Sequence, residues 1–339
     1  MKLKNTNILS VLFLALLLGT YACTDDSNTI PLPPDYVDPN GETDGDGDGN
    51  GNGDGEATTY HYITPSVDSK GDILVLGTPK NYSDTAKYHV LAVASIDLED
   101  YYASAVGKKG NQLRAALAAI VKNNFVPVTY GEARSILVDA DRHPLDETKI
   151  WCSYEEHLVN ASWDQGATWN REHVWAKSKG LGGAISNNEA GPASDIYNLK
   201  AEELSVNTRK SNRDFAEKDG DESYYGIHGT AAYAPMESGR GDVARIMFYM
   251  QLRWNGECGI VLDNEIYTTS TEARHGVLTD LIKWHSDDPV DPFEIRRSNI
   301  VYSNQKNRNP FVDHPELVDY LFGDMQNQAW DGGVTYKNN

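Results

Sequence analysis

The chain has 339 residues, with 30 Lys+Arg against 50 Asp+Glu, a formal net charge of -20 and 40% hydrophobic residues. Its length allows an export segment, a linker and one or two domains with proper cores, while three cysteines exclude a disulfide-stapled small scaffold. No apolar span of about 20 residues occurs beyond the first 25, which excludes a polytopic membrane protein, and the bulk acidity excludes a uniformly basic nucleic-acid binder.

Lys2 and Lys4 precede an almost unbroken apolar run from Leu9 to Gly19, followed by Thr20-Tyr21-Ala22-Cys23. A basic start, a short apolar core and small residues before a break read as a secretory signal over residues 1–22. Cys23 at the break resembles the cysteine of a bacterial lipobox, which is acylated and becomes the first residue of the mature protein. The alternative is a simple secreted chain with an incidental cysteine. Residues 23–58 form an acidic linker rich in Gly, Asp and Pro, without the apolar surface needed to fold. Asp44, Asp46, Asp48 and Gly49 have the first spacings of a calcium loop. The twelfth position is Gly55 instead of Glu, so a flexible spacer is the expected reading. Residues 1–60 carry ten acidic and two basic residues, which leaves 28 basic against 40 acidic in the body. Any nucleic-acid surface there must be a local basic patch or use a bound cation.

Residues 59–99 read as a strand-rich lead-in, with apolar runs Ile73–Leu76 and His89–Val93 separated by Gly77 and Pro79. Helical spacing then begins. Leu113, Ala116, Leu117, Ile120 and Val121 predict a first helix, with Gly110 just ahead and Asn123-Asn124 at its end. Residues 148–230 are irregular and rich in Asn, Gly, Ser, Trp and Tyr, the character of a functional loop region. A helix is predicted from Asp242 (Val243, Ile246, Met247, Met250), another from Gly276 to His285 with Val277, Leu278, Leu281 and Ile282 inward, and a last one from Pro292. Cys152 and Cys258 either pair or are buried singly.

The chemistry concentrates in Trp169-Asn170-Arg171-Glu172-His173-Val174-Trp175-Ala176-Lys177-Ser178. A carboxylate beside an imidazole supplies a hard-cation ligand and a base that titrates near neutrality. On a strand, however, neighbouring side chains point to opposite faces, so Glu172 and His173 do not converge by spacing alone. A second stretch is Asp195-Ile196-Tyr197-Asn198-Leu199-Lys200, followed by Val206-Asn207-Thr208-Arg209-Lys210-Ser211-Asn212. If residues 201–213 are helical, Glu203, Asn207 and Lys210 share a face, flanked by Arg209 and Asn212. An Asn amide oxygen serves as a magnesium ligand, and the adjacent cations suit a scissile phosphate.

These two stretches resemble the bacterial endonuclease I family, built on the ββα-metal, or His-Me finger, fold. Gly241–Met250, Leu281–Val290, Phe293–Arg297 and Asn307–Pro315 extend the resemblance, which covers roughly residues 100–325. It implies an α+β fold, a mainly helical domain around a ββα-metal core, and catalytic residues His173, Glu172 and Asn207. His173 would be the general base. Glu172 and Asn207 would hold Mg²⁺, with Mn²⁺ or Ca²⁺ as alternatives. Asn198 and Asn212 would be supporting residues. Arg171, Arg209, Lys210 and Arg308 are the expected phosphate contacts, a buried ion pair being the alternative for Arg308. The implied activity is largely sequence-nonspecific hydrolysis of DNA, with RNA the other candidate, to 5′-phosphate products. The departures are Ala176 and Ala201, where the family usually has Pro, Tyr197 for its His, and Lys210 for its Arg.

The expected organisation is therefore signal 1–22, linker 23–58, lead-in 59–99, catalytic domain 100–325 and tail 326–339. The expected chain is exported and either lipid-anchored through Cys23 or secreted. A monomer is favoured. The rival readings are a nucleic-acid-binding or surface module of the same fold with weakened turnover, and a metalloprotease or phosphatase, against which stands the lack of the spaced histidines of zinc hydrolases. His285 is expected to cap its helix as a cation before Pro289, and the tryptophans to act as core or loop anchors.

Overall fold

The computed structural model describes residues 97–333, apart from 144, 145, 147, 184, 218–224, 229, 230 and 268–271. The signal, Cys23, the acidic linker with its calcium-like spacing and nearly all of the lead-in lie outside the described residues.

Helix α1 (Leu98–Tyr102) starts at Asp97, whose carboxylate accepts the N–H groups of Glu99 and Asp100. In α2 (Gly110–Asn124), Leu113, Leu117, Ile120 and Val121 bury one stripe at the spacing of a single helical face. Helix α3 (Ala133–Ala140) precedes the antiparallel hairpin of β1 (Lys149–Cys152) and β2 (His157–Asn160). Strands β3 (Trp169–His173) and β4 (Leu199–Glu203) pair antiparallel, with Glu172 opposite Lys200 and His173 opposite Leu199. Helix α4 (Leu204–Lys210) follows β4 without a gap. Residues 201–203 are thus strand, and Glu203 is the extended residue that begins the helix instead of a member of its face. Pairing with β3 satisfies the backbone there before α4 can extend backwards.

A small mixed sheet follows, ordered β5 (Asp214–Phe215), β7 (Ala232–Ala234), β6 (Gly226–His228). Helix α5 (Glu237–Cys258) is the spine of the molecule. It is buried on nearly all sides from Gly239 to Met250, as expected of a central helix. It begins five residues before the predicted Asp242, because Gly239 and Gly241, poor helix formers, sit in its first turns. Gly241 is required there: a Cβ would lie 2.0 Å from the Asp288 carbonyl oxygen. Strand β8 (Val261–Asp263) pairs parallel with β9 (Arg274–Val277). That pairing claims Gly276 and Val277, so α6 runs Leu278–Asp287. Helix α7 (Pro292–Gln305) has Pro in its first turn and Asp291 accepting the Glu294 N–H. Short helices α8 (Pro310–Asp313) and α9 (Leu317–Leu321) close the order.

The class is α+β, with small separate sheets around a helical body. Trp151, Trp169, Trp175 and Trp284 are fully buried anchors. Cys152 and Cys258 are free thiols. The predicted tail from 326 docks at least as far as Trp330, which is fully buried and bonds Lys108 and Gly107 through its backbone.

Candidate active site

Strand β3 alternates its side chains between two faces. Asn170 and Glu172 face one way; Arg171 and His173 face the other. Helix α4 covers the first face. The Asn207 amide nitrogen donates to Asn170 Oδ1 at 2.5 Å, and one turn later Lys210 Nζ lies 3.1 Å from Glu172 Oε1. These two contacts bring helix α4 against the Asn170 and Glu172 side of β3. Tyr154 Oη donates to the same Oε1 at 3.0 Å. Burial raises the Glu172 carboxyl above its ordinary range, while Lys210 and Tyr154 oppose the rise.

On the second face His173 is buried, and its Nε2 lies 2.9 Å from the Ala193 carbonyl oxygen. A carbonyl only accepts, so Nε2 carries the proton and Nδ1 keeps its lone pair. Burial, then the nearby Lys177, hold this imidazole well below its usual pKa, so it is neutral near pH 7. The Tyr130 ring stacks on it with centroids 5.5 Å apart and an interplanar angle of 29°. Dividing the dyad between two faces matches the alternation of the strand.

A metal ion here would depend on Glu172 and Asn207, since among the described residues no group of three or more His, Cys, Asp or Glu is arranged to hold one. Glu172 Oε1 meets Tyr154 and Lys210, the His173 backbone N–H also bears on the carboxylate, and Asn207 uses its nitrogen on Asn170. The Glu172 carboxylate and the Asn207 amide oxygen are the hard donors of this face. That pair fits Mg²⁺, which takes one or two protein oxygens and fills its shell with water and substrate phosphate.

The expected phosphate contacts divide. Arg171 is partly exposed on the His173 face. It bonds the Tyr130 carbonyl and, at 3.2 Å, Asn187 Oδ1. Arg209 pairs with Glu155, which also accepts the Tyr233 hydroxyl at 2.9 Å. Lys210 is not a surface clamp. It is fully buried, with its ammonium 4.4 Å from the Phe215 ring centroid, because Glu172 and the ring hold it inward. Arg308 likewise lies inside: Nε and Nη2 grip both oxygens of Asp313 at 2.7 and 2.6 Å, and Nη1 reaches Asn299 at 3.0 Å. It is the buried ion pair of the two alternatives. Lys179, just past the first motif stretch, is also sealed in, 3.4 Å from Asp214.

Asn198 is fully buried and clamps the turn after β3, accepting from the Trp175 N–H at 2.6 Å and donating to its carbonyl at 3.1 Å. Asn212 donates to Ser178 Oγ at 3.3 Å, tying the end of α4 to the same turn. Tyr197 packs under α7, with its hydroxyl 2.9 Å from Ser298 Oγ. Sequence reasoning missed Asn170, Tyr154, Tyr130 and the buried Asp195, which accepts from Tyr249, Trp254 and Gln305. Asn170 was legible in principle, two residues before Glu172 on a strand. Asp195 opens the second motif stretch, while Tyr154 and Tyr130 come from distant segments and carry no local signal.

Residues 109–316 match the family Endonuclease I. The chain is 36% identical over 237 residues to the extracellular ribonuclease of Bacillus amyloliquefaciens, covering 67% of this chain and 80% of that protein. It is 34% identical over 235 residues to the extracellular ribonuclease of Bacillus subtilis (strain 168), covering 67% and 79%. The matched region spans α2 to α8 and contains both faces of the β3 site, and on these matches the chain belongs to the endonuclease I family of nucleases.

Proposed function

We propose that this nuclease is an exported, metal-dependent endonuclease of the ββα-metal type. It hydrolyses phosphodiester bonds with little sequence preference, and RNA is a substrate alongside DNA. The observation that carries the reading is the β3–β4–α4 unit, which sets a neutral His173 and an oxygen pair, Glu172 and Asn207, on either side of one strand. The two relatives, by name extracellular ribonucleases, support export and RNA as substrate.

His173 Nδ1 accepts a proton from water, and the Nε2–H bond to Ala193 fixes the tautomer that leaves Nδ1 available. The water oxygen bonds phosphorus as the bond to the 3′ oxygen breaks, leaving a 5′-phosphate. Glu172 and Asn207 would hold Mg²⁺, or Mn²⁺ or Ca²⁺, which when bound neutralises charge on the phosphate and the leaving oxygen. Arg171 and Lys177 supply positive charge on the His173 side. Most contacts then go to the nucleic-acid backbone, which gives little sequence preference.

One observation favours the weaker reading of a module with reduced turnover: the Lys210 ammonium already sits on Glu172. Cleavage of RNA and plasmid DNA separates the two. The wild type should cleave, EDTA should abolish cleavage, and Mg²⁺ should restore it. His173→Ala should lose at least ~10²-fold, the usual contribution of a positioned general base. Glu172→Gln should raise the Mg²⁺ requirement. Cleavage that persists through EDTA, or equal turnover of wild type and a folded His173→Ala, would reject the mechanism.

A further inference from the structure

We infer that Tyr130 is a positioning residue for His173, and that the 187–194 segment is the frame that holds both. The inference rests on the reading of His173 as the base. A general base needs its lone pair aimed within a narrow cone, and a misplacement of about 1 Å costs up to ~10²-fold in rate. The Ala193 carbonyl fixes one edge of the imidazole but leaves the ring free to tilt about that bond.

Tyr130 removes the tilt. Its ring lies against one face of His173 at 5.5 Å and 29°. The Arg171 guanidinium closes on the Tyr130 ring at 3.4 Å from its centroid. Arg171 and His173 are alternate residues of β3 and project to the same side, so one strand supplies two of the three members of the stack. Arg171 also bonds the Tyr130 carbonyl, which ties the tyrosine backbone to the strand that carries the base.

The third member enters from a loop before α3, and that loop is set by the segment that carries Ala193. Tyr130 N donates to the Glu189 carbonyl at 2.8 Å and Gly131 N to the Asn187 carbonyl at 2.9 Å. Ser194 Oγ donates to the Val128 carbonyl at 2.7 Å. One stretch of chain therefore defines the edge contact of the imidazole directly and its face contact through Tyr130. The approach is close: a Cβ on Gly131 would fall 2.7 Å from the Asn187 carbonyl oxygen. The stacked ring contact favours one imidazole orientation over its tilted alternatives.

The test uses steady-state cleavage of RNA with Mg²⁺ by the full mature chain. Tyr130→Leu should lower kcat at least tenfold with KM within twofold of wild type. Tyr130→Phe, which keeps the ring, should stay within threefold in kcat. Gly131→Ala, which pushes the loop from Asn187, should lower kcat severalfold with KM unchanged. If Tyr130→Leu does not fold, the Phe and Gly131→Ala variants decide alone. The inference is overturned if His173→Ala is inactive while Tyr130→Leu and Gly131→Ala turn over as wild type does, or if Tyr130→Phe loses as much as Tyr130→Leu. A fully active His173→Ala would instead remove the base assignment, and this inference with it.

Discussion

His285 occupies the last turn of α6, where a cationic imidazole would complement the helix carbonyls. The structure corrects that expectation. Nε2 bonds the Pro315 carbonyl at 3.0 Å, Nδ1 faces Arg245, and burial first, then Arg245, push its pKa down to about 3. The ring is neutral when folded, while an unfolded histidine titrates near 6.5. Between these values the unfolded chain binds the extra proton, so this residue's contribution is full above about 6.5 and falls as pH drops towards 3. His285→Gln removes the effect. The stability advantage of wild type over this variant should therefore shrink between pH 7 and pH 5, by about 2 kcal/mol at most. Denaturant unfolding at both pH values checks it; an advantage that is constant or grows on acidification contradicts the assignment. Glu172 shows the balance of burial against partners at residue scale. Burial raises its carboxyl pKa, and Lys210 and Tyr154 oppose that rise.

At the scale of elements, the helices announced themselves in sequence wherever one stripe is apolar. The interior of α2 follows its leucine spacing, and α7 begins at Pro292 as expected. Helix α5 was misjudged at its start, since a helix buried all round has no polar face to mark it. Its first turns are packed so tightly that a glycine is a steric requirement. The Gly241 N–H donates to Asp288 Oδ2 at 2.8 Å, and a side chain would also meet Arg245, whose Nη2 lies 2.6 Å from the position of a Cβ. Gly241→Ala improves intrinsic helix propensity by about 1 kcal/mol yet forces α5 away from the segment after α6. The net expectation is a loss of about 2–3 kcal/mol, the usual cost of overpacking, read as a Tm lower by about 5–10 °C in circular dichroism melts. An unchanged or higher Tm would show that the two segments separate freely. The short strands were the least legible elements. Each has two to five residues, and their pairing partners are set by contacts between distant segments.

At the scale of the whole molecule, the expected lipid anchor leads to a direct test. A basic start, an apolar core, Cys23 and an acidic spacer together predict a body tethered to a membrane and held in solution. Cys23→Ser should move the protein to the soluble fraction without changing its specific activity. Identical partitioning of variant and wild type, or a mature N-terminus without acyl mass, would leave an ordinary cleaved signal. The catalytic body shows where reading a sequence suffices and where it does not. Residue order alone determined the helical stripes and the neighbourhood of the reactive side chains, because Glu172 and His173 are adjacent and Asn207 to Lys210 spans one helical turn, distances fixed by covalent geometry. Only the tertiary structure decided which cations are buried in ion pairs. Lys210 and Arg308 look like exposed phosphate contacts in a string of letters, yet each is drawn inward by a carboxylate, Glu172 on β3 and Asp313 at the end of α8. A charge inside a protein requires a nearby counter-charge, and which counter-charge is near is a property of the packed chain.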